Sequence, residues 1–332
     1  MKSVASAPGK IILFGEHFVV HGTKAILAAI DKRVTVTSTF TENKTVKINS
    51  QLGTVEVPIE QKSYFESDES LKEITDLGTF APFVYLARLF WNFMSKRQTR
   101  IFNKNGIEIT IDSDIPIGVG LGSSSACCVA AVASICGLFK ELSSEEILGM
   151  SIEAEKTIFP DTSGADCAVC TYGGMIEHPS IEKIDNTFDL NLLIANSMIP
   201  HNTKNSVEKV NKFKENDEER FSQLCDLETK LIDEVITTMK NNDATAFGLK
   251  MSENQKYLEE IQISNDTLRD MISSLKEISL GTKITGAGDG GCIIALVKDE
   301  NMDKVPALLP KDKEYFSAKI DTKGVVWSTI EE

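Results

Sequence analysis

Short segments in which apolar and polar residues alternate recur in the first third of the chain and predict β-strands. The segments 33–40 (RVTVTSTF) and 106–114 (GIEITIDSD) both alternate, so one face of each would lie against a core. Residues 9–22 (GKIILFGEHFVVHG) form a β-rich stretch that Gly15 interrupts. Further strands are predicted within 172–178, after a Tyr-Gly-Gly turn, at 190–197, at 292–297 and in short pieces around 315–330.

Helical patterns follow. Residues 123–139 carry small residues on nearly all sides, which predicts a buried helix about 25 Å long. A helix at 144–158 begins with a capping-box pattern of Ser143 and Glu146. After about residue 190 the pattern changes to long amphipathic helices. Their predicted apolar faces comprise Leu224, Leu227, Leu231 and Val235 in one helix, and Leu268, Met271, Ile272 and Leu275 in another.

These elements predict a mixed α/β (α+β) protein of two domains, 1–185 and 186–332. A chain of 332 residues is long enough for two cores. The polar, acidic stretch 60–79 predicts a loop or a surface insertion, and 212–220 predicts a solvated helix face or loop.

Charge and composition exclude several classes of partner. The net charge of −14 argues against a broad binding surface for nucleic acid or anionic lipid, although a small anion needs only local donors. No stretch reaches the roughly 18 apolar residues of a membrane span. Pro8, Gly9 and Lys10 interrupt the apolar N-terminal stretch, so no signal peptide is expected.

The seven cysteines have mostly apolar neighbours and are odd in number, which predicts buried, reduced thiols in a cytoplasmic protein. Cys167 and Cys170 have the spacing of a redox or metal pair. Without a second such pair, and with no zinc spacing among the four histidines, we expect neither role.

The segment 116–126 (PIGVGLGSSSA) links a predicted strand to the buried helix. Its glycines permit close approach of a ligand, and the helix start offers free N–H groups, so the segment predicts an anion site with phosphate as the first candidate. It is neither a Walker loop nor the dinucleotide motif, because Ser123 stands where the third glycine would be. A serine-capped, glycine-rich turn without a ligand is the simpler alternative.

A second glycine cluster lies at 283–292 (KITGAGDGGC) and satisfies G-x-G-x-x-G. A β-branched strand follows it where the dinucleotide motif needs a helix, so a tight turn facing a ligand fits better.

Three charged positions have two readings each from the residues alone. Glu155 shares a helical stripe with Leu148, Ile152 and Phe159, so its carboxylate either binds a metal, or else pairs with a lysine or lies at the boundary of the apolar face. Asp166 follows a Ser-Gly turn and is either a helix cap or a functional acid. Lys10 begins a strand near Glu16, His17 and His21, where a lysine is normally exposed.

Together these segments resemble the GHMP small-molecule kinases, in order and over nearly the whole chain. Residues 6–22 (SAPGKIILFGEHFVVHG) are similar to the first family motif, 116–126 to the phosphate-binding second motif and 283–292 to the third. The form of the first motif, and the segment 196–210 (NSMIPHNTKNSVEKV), are similar to those of members that act on mevalonate.

The resemblance implies a ribosomal protein S5 domain 2-like N-terminal domain, a ferredoxin-like C-terminal domain and a site between them. It implies transfer of phosphate from ATP to the C5 hydroxyl of (R)-mevalonate with Mg²⁺, and a possible homodimer. By position, Asp166 and Lys10 match the catalytic pair, and Ser124 and Glu155 match the metal ligands. The loop around ATP comprises Pro116, Gly118, Gly120, Leu121, Gly122, Ser123, Ser124 and Ser125. The substrate positions comprise Lys10, Glu16, His17, Asp166, Thr203, Gly286, Ala287 and Gly288.

Three positions depart from the family pattern. Thr162-Ser163-Gly164 replaces a common Pro-Ser-Gly, Cys127 replaces an aromatic residue of some relatives, and Asp289 stands where glycine is common. A carboxylate at 289 would weaken ATP binding unless it points away. Two other functions remain open: a sister kinase acting on phosphomevalonate or a sugar, which for phosphomevalonate would need extra cations, and a nucleotide-binding regulator without catalysis.

Overall fold

Two antiparallel-rich sheets organise the chain. The computed structural model describes residues 1–59, 74–95, 106–140, 142–184, 191–200 and 203–330. Within these residues the first sheet comprises β1 (Lys2–Phe14), β2 (Ala25–Thr41), β3 (Thr45–Ser50), β4 (Gly53–Pro58), β5 (Gly106–Ser113), β6 (Met175–His178), β7 (Glu182–Ile184) and β12 (Val326–Ile330). The strand order is β12-β1-β2-β5-β3-β4, with β6 beside β2 and β7 beside β6. Only β3 and β5 run parallel among these pairs.

The second sheet comprises β8 (Leu192–Asn196), β9 (Ser279–Thr285), β10 (Cys292–Val297) and β11 (Glu314–Ala318). Its order is β11-β8-β10-β9, with all described pairs antiparallel. The chain then returns to the first sheet, where β12 pairs with β1. The domain boundary expected near residue 185 lies outside the described residues.

The helices divide between the two sheets. Helices α1 (Ala81–Ser95), α2 (Ser123–Gly137), α3 (Ser144–Glu155) and α4 (Ala165–Tyr172) belong to the part of the chain that forms the first sheet. Helices α5 (Thr203–Asn216), α6 (Glu218–Lys240), α7 (Ala244–Glu260), α8 (Asp266–Leu275) and α9 (Val305–Leu308) accompany the second. Short 3₁₀ helices lie at Phe18–His21, Gly78–Phe80 and Asp299–Lys304.

Helix α2 is the centre of the first layer. It packs on β1 and β2 on one side and on α3 and α4 on the other, so its residues from Ser125 to Cys136 are buried apart from the half-buried Cys127. The expectation of a helix buried all round is confirmed. Small side chains allow this close approach on several sides, since each neighbour must come within van der Waals contact of the helix backbone.

The start of α3 is confirmed as a capping box. Ser143 Oγ accepts a hydrogen bond from Glu146 N at 3.2 Å, and Ser143 N donates to Glu146 Oε2 at 2.9 Å. The helix ends earlier than expected, at Glu155, so Phe159 lies beyond it with 51% of its surface exposed. The predicted stripe was therefore wrong at its last position, although Glu155 itself is buried.

The apolar face predicted for α6 was wrong at one position. Leu224, Leu231 and Val235 are buried, but Leu227 is 38% exposed and Glu228 takes the buried place beside them. The buried face follows the i, i+4, i+7, i+11 spacing, which includes residue 228 and turns residue 227 outward. Hydrophobicity alone could not show this, because it assigns the carboxylate to solvent.

The other amphipathic face and the remaining strands follow the pattern. Leu268, Met271 and Leu275 are buried in α8, and Ile272 is half-buried against the core. The segment 212–220 spans the end of α5 and the start of α6, where Asp217 caps α6 through Arg220 N. Of the acidic stretch 60–79, residues 60–73 lie outside the described residues. Among described helices, none combines the length and the apolar character that crossing a bilayer requires.

The thiols are free in the described residues, which include all seven cysteines. Cys167 and Cys170 lie in α4 and are fully buried, and burial raises the pKa of each thiol well above its usual value. Burial disfavours the thiolate, which is the form that binds metal or attacks a disulfide. Their interpretation as packing residues is consistent with this environment.

Candidate active site

A cavity of about 700 Å³ opens where the two sheets meet. Both halves of the chain supply its walls: the end of β1, the glycine loop before α2, the turn after α3, the start of α4, helix α5 and the second glycine cluster. The predicted site residues that line it are Lys10, Glu16, His17, Pro116, Gly118, Gly120, Leu121, Gly122, Ser123, Ser124, Ser125, Glu155, Asp166, Thr203, Gly286 and Ala287.

Strand β1 holds the glycine loop in place. Lys10 N donates to Leu121 O at 2.9 Å, and the loop passes so close to Gly9 that a Cβ there would lie 2.9 Å from Leu121 O. The first intrahelical hydrogen bond of α2 runs from Ala126 N to Gly122 O at 2.9 Å. The amides of the three preceding serines are therefore free of the helical ladder, at the positive end of the helix dipole. This is an arrangement that binds phosphate.

Gly122 has a second reason to be glycine. Its φ is +72°, and a Cβ at this position would lie 2.5 Å from Lys10 Cγ. The loop thus packs directly on the side chain of the lysine beneath it. Any larger residue would displace Lys10 as well as strain the backbone.

The Gly122→Ala variant should therefore lower kcat/KM by about 10- to 100-fold, as misplacing a reacting group by roughly 1 Å does. Gly174→Ala is the matched control, because Gly174 has the same φ of +72° and nothing within 4 Å of a Cβ. Both variants should lose about 1 kcal/mol or more of stability from the backbone. Steady-state kinetics of the two variants beside thermal unfolding measure the difference, and equal activity in both would contradict the contact with Lys10.

Lys10 and Asp166 both line the cavity and form an ion pair with each other. Lys10 Nζ lies 3.0 Å from Asp166 Oδ2, and their side chains are 7% and 35% exposed. Asp166 is the second residue of α4, where the preceding Gly164 adopts a left-handed conformation that turns the chain into the helix. Lys10 is therefore buried, although a lysine at the start of a strand is normally exposed. Asp166 is not the cap of α4, because Gly164 occupies the cap position.

Glu155 is 2% exposed, and hydroxyl groups hold its carboxylate. Ser125 Oγ donates to Oε1, and Thr162 Oγ1 donates to Oε2 at 2.5 Å. No cation forms an ion pair with Glu155 among the described residues, so the lysine-partner reading of its burial has no support there. A carboxylate and hydroxyls beside the glycine loop are oxygen ligands of the kind that Mg²⁺ prefers.

Thr162 contributes to the site through its hydroxyl, a contact that the sequence does not reveal. Its hydroxyl donates a hydrogen bond to Glu155, a contact that a proline at this position could not make. Ser125, and not the Ser124 predicted for the metal, is the serine hydrogen-bonded to Glu155. Ser124 lies at the junction of the cavity and a smaller neighbouring pocket.

Glu16 and His17 lie on the turn that follows β1. Glu16 and Lys283 form an ion pair that is fully buried. His17 lies with Nε2 at 2.8 Å from Ala287 O. Because a carbonyl oxygen only accepts, Nε2 carries the proton, and burial lowers the pKa of His17. The ring is therefore neutral at physiological pH and leaves Nδ1 as an acceptor.

Two residues of the second glycine cluster do not line the cavity in the described structure. Gly288 is absent from the described lining of the cavity, because it packs on Ile263, whose carbonyl oxygen would lie 2.4 Å from a Cβ there. Asp289 also points away from the cavity: its Oδ2 lies 2.5 Å from Lys209 Nζ on α5. The extra carboxylate is thus neutralised by a neighbour and need not repel phosphate.

A smaller, mostly apolar pocket of about 120 Å³ adjoins the glycine loop. Leu52, Phe80, Phe83, Ile117 and Cys127 contribute to its wall, with Ser123 and Ser124 on the side of the main cavity. Burial raises the pKa of Cys127 to about 12, so its thiol is an apolar contact. The pocket is not apparent from the sequence, because its residues come from five separate segments.

Comparison with known proteins adds the family. Residues 85–174 match the GHMP kinases N terminal domain, and residues 234–307 match the GHMP kinases C terminal domain. A mevalonate kinase of Thermococcus sibiricus is 32% identical over 334 residues, covering 98% of each chain. The chain belongs to the mevalonate kinase family of GHMP kinases.

Further relatives agree with this assignment. A mevalonate kinase of Archaeoglobus fulgidus is 33% identical over 90% of this chain and 93% of its own. The crystal structure of Methanococcus jannaschii mevalonate kinase is similar with a TM-score of 0.80 and 28% identity, covering 96% of this chain and 98% of that one. The expected α/β fold of two GHMP kinase domains is confirmed, and the protein is a kinase that uses ATP.

Proposed function

We propose that this kinase transfers the γ-phosphate of ATP to the C5 hydroxyl of (R)-mevalonate and forms 5-phosphomevalonate. The observation that carries the proposal is the ion pair of the buried Lys10 with the half-buried Asp166, at 3.0 Å, in the same cavity as a helix start whose amides lie outside the helical ladder. The named relatives support mevalonate as the acceptor. An intact cation–acid pair argues against a regulator without catalysis.

Lys10 and Asp166 divide the work at the acceptor hydroxyl. In a loose phosphoryl-transfer transition state, positioning and charge stabilisation dominate over covalent chemistry. Lys10 stabilises negative charge on the transferring group and orients the hydroxyl. Asp166 accepts a hydrogen bond from that hydroxyl and takes its proton. Orientation of the hydroxyl is the main contribution of Asp166, because positioning dominates in such a transition state.

Mg²⁺ fits the residues around Glu155. The described lining carries one lysine and no arginine, against the carboxylates of Glu16, Glu155, Asp161 and Asp166, of which Glu16 is paired with Lys283. A triphosphate would be repelled from such a wall unless a divalent cation came with it. Glu155 and Ser124 would hold the ion, with Ser125 and Thr162 orienting the carboxylate. Bound Mg²⁺ supplies charge neutralisation on the phosphate oxygens.

The apolar pocket beside the glycine loop would hold the base of ATP. It lies at the outer end of the loop and shares Gly118, Ser123 and Ser124 with the main cavity. A nucleoside there would direct its phosphates along the start of α2. Flat apolar walls that include Phe80 and Phe83 suit an aromatic base.

The composition of the cavity supports mevalonate over its competitors. A single lysine, already paired with Asp166, leaves no described cation for the phosphate of phosphomevalonate. Ile12, Val20, Ile158, Phe159 and Val207 also line the cavity. Apolar side chains suit a branched hydroxy acid with a methyl group better than a sugar, which carries a hydroxyl on almost every carbon.

The test is a coupled assay of ADP release with three acceptors. We expect stoichiometric ADP release with (R)-mevalonate, and rates at background with phosphomevalonate and with galactose. Mass spectrometry of the product should show a single added phosphate. A preference for phosphomevalonate or galactose would contradict the proposed acceptor, and no turnover with any of the three would favour the non-catalytic alternative.

A further inference from the structure

The turn that carries Glu16 and His17 into the cavity has an unfavourable backbone. Gly15 has a φ of +96°, and a Cβ there would lie 2.4 Å from Lys24 O. His17, which is not a glycine, has a φ of +62° and a ψ of −40°. Such conformations persist only where the surroundings hold them. Other elements must therefore fix this turn.

Glu228 of α6 is one of the groups that hold it. Its side chain is fully buried, and its Oε1 accepts a hydrogen bond from Gly15 N at 2.8 Å. Asn254 Nδ2 of α7 donates to both carboxylate oxygens, at 2.8 and 2.7 Å. The carboxylate thus connects two helices of the second half of the chain to the first residue of the turn.

The side chains of Glu16 and His17 also contact the second half of the chain. Glu16 pairs with Lys283 of β9, and His17 Nε2 donates to Ala287 O at 2.8 Å. Glu228 is not among the described residues that line the cavity. Its hydrogen bond from Gly15 N is its direct contact with the backbone of the turn.

We propose that Glu228 positions the alcohol substrate indirectly. Its carboxylate oxygen accepts the hydrogen bond from Gly15 N and thereby fixes the Gly15–His17 turn, which lines the cavity. This inference rests on the proposed function for the identity of the alcohol. The proposal further states that the turn requires the hydrogen-bond-accepting oxygen of residue 228 and not its negative charge. Burial, with the neighbouring Glu16 carboxylate, raises the pKa of Glu228 to about 7, so a neutral side chain is compatible with the site.

Two variants separate the acceptor from the charge. Glu228→Gln keeps an oxygen that can accept from Gly15 N. Among the described residues, Asn254 Oδ1 has no hydrogen-bond partner. A rotation of the Asn254 side chain would therefore let this oxygen accept from the new amide. Glu228→Leu removes the acceptor at similar volume. Lys283 keeps Glu16 as its partner in both variants, so neither leaves a buried cation unpaired. Glu219→Leu, on an exposed position of the same helix, is the control.

The experiment measures KM for mevalonate and for ATP, kcat, and hydrogen–deuterium exchange of a peptide that covers the turn. We expect Glu228→Leu to raise KM for mevalonate at least tenfold, with nucleotide affinity within threefold of wild type and exchange of the turn at least tenfold faster. Glu228→Gln and Glu219→Leu should stay within threefold of wild type in every measure. Circular dichroism and thermal unfolding verify that each variant is folded.

Three results would overturn the proposal: a folded Glu228→Leu with wild-type KM and exchange, an equal loss of affinity for nucleotide and alcohol, or a Gln variant as impaired as the Leu variant. If the Leu variant does not fold, Glu228→Met is measured against the same criteria. Asn254→Ala is measured beside it. Because this variant keeps the hydrogen bond between Gly15 and Glu228, its loss of mevalonate affinity should be smaller. The exchange measurement needs no substrate, so it tests the role of Glu228 even if mevalonate is not the acceptor.

Discussion

Replacing Asp166 with asparagine should lower turnover by roughly 10²–10⁴-fold, the usual contribution of a positioned acid or base. Asparagine keeps the shape of the side chain but cannot take the proton of the acceptor hydroxyl. It also leaves Lys10 without its anionic partner at 3.0 Å, so the ammonium is no longer held against the reacting groups. The loss should fall on kcat, because the hydroxyl is oriented by this group during transfer.

The measurement is kcat of Asp166→Asn beside direct binding of nucleotide. Nucleotide affinity should stay within a few-fold of wild type, since the free amides at the start of α2 are unchanged. Added Mg²⁺ should not restore the rate. Asp161→Asn is the matched control: this carboxylate also lines the cavity but forms no ion pair among the described residues, and its effect should be at least tenfold smaller. Equal losses in both variants would show that total charge, and not the hydroxyl contact, matters.

Replacing Glu155 with glutamine should raise the Mg²⁺ concentration needed for half-maximal rate by about tenfold or more, because perturbing the ligand environment of a metal commonly costs 10–100-fold in affinity. Glutamine preserves the volume of the side chain and retains one oxygen. In the native protein Ser125 and Thr162 donate to the carboxylate of Glu155. In the glutamine variant one hydroxyl can still donate to the remaining oxygen, and the other can accept from the amide. The fold should therefore survive while the charge is lost.

A Mg²⁺ titration of turnover tests this expectation. Excess Mg²⁺ should partly restore the rate of Glu155→Gln, in contrast to Asp166→Asn. Glu153→Gln, with an exposed side chain two residues earlier on α3, should behave like wild type. If Mg²⁺ rescued the Asp166 variant and failed to rescue the Glu155 variant, the two roles would be reversed.

The local elements could be predicted from the sequence because their causes are local. Alternation along β5, the capping box of α3 and the small residues of α2 each reflect neighbours within a few positions. The glycine loop was also recognisable, because a strand, three glycines and a helix start follow each other directly. The prediction that Lys10 and Asp166 lie in one site depended on the resemblance to the GHMP kinases.

Pairing between distant residues could not be predicted in the same way. The sequence gives no sign that Asp289 meets Lys209, or that Thr162 satisfies Glu155. The exposed Leu227 beside the buried Glu228 reverses what hydrophobicity predicts. A carboxylate is stable in that place only because Gly15 N and Asn254 Nδ2 happen to converge on it.

The sequence by itself therefore determined the periodic elements, the glycine turns and the chemical types available to the site, since these follow from backbone conformation and from residues close along the chain. The tertiary structure alone decided which charges are neutralised and which remain available to a ligand. Gly15 and Glu228 are 213 residues apart, yet one hydrogen bond joins them. The burial and the partner of a charged group depend on how separate segments pack together, and it is that packing which turns the same residue types into a buried support or a reactive group.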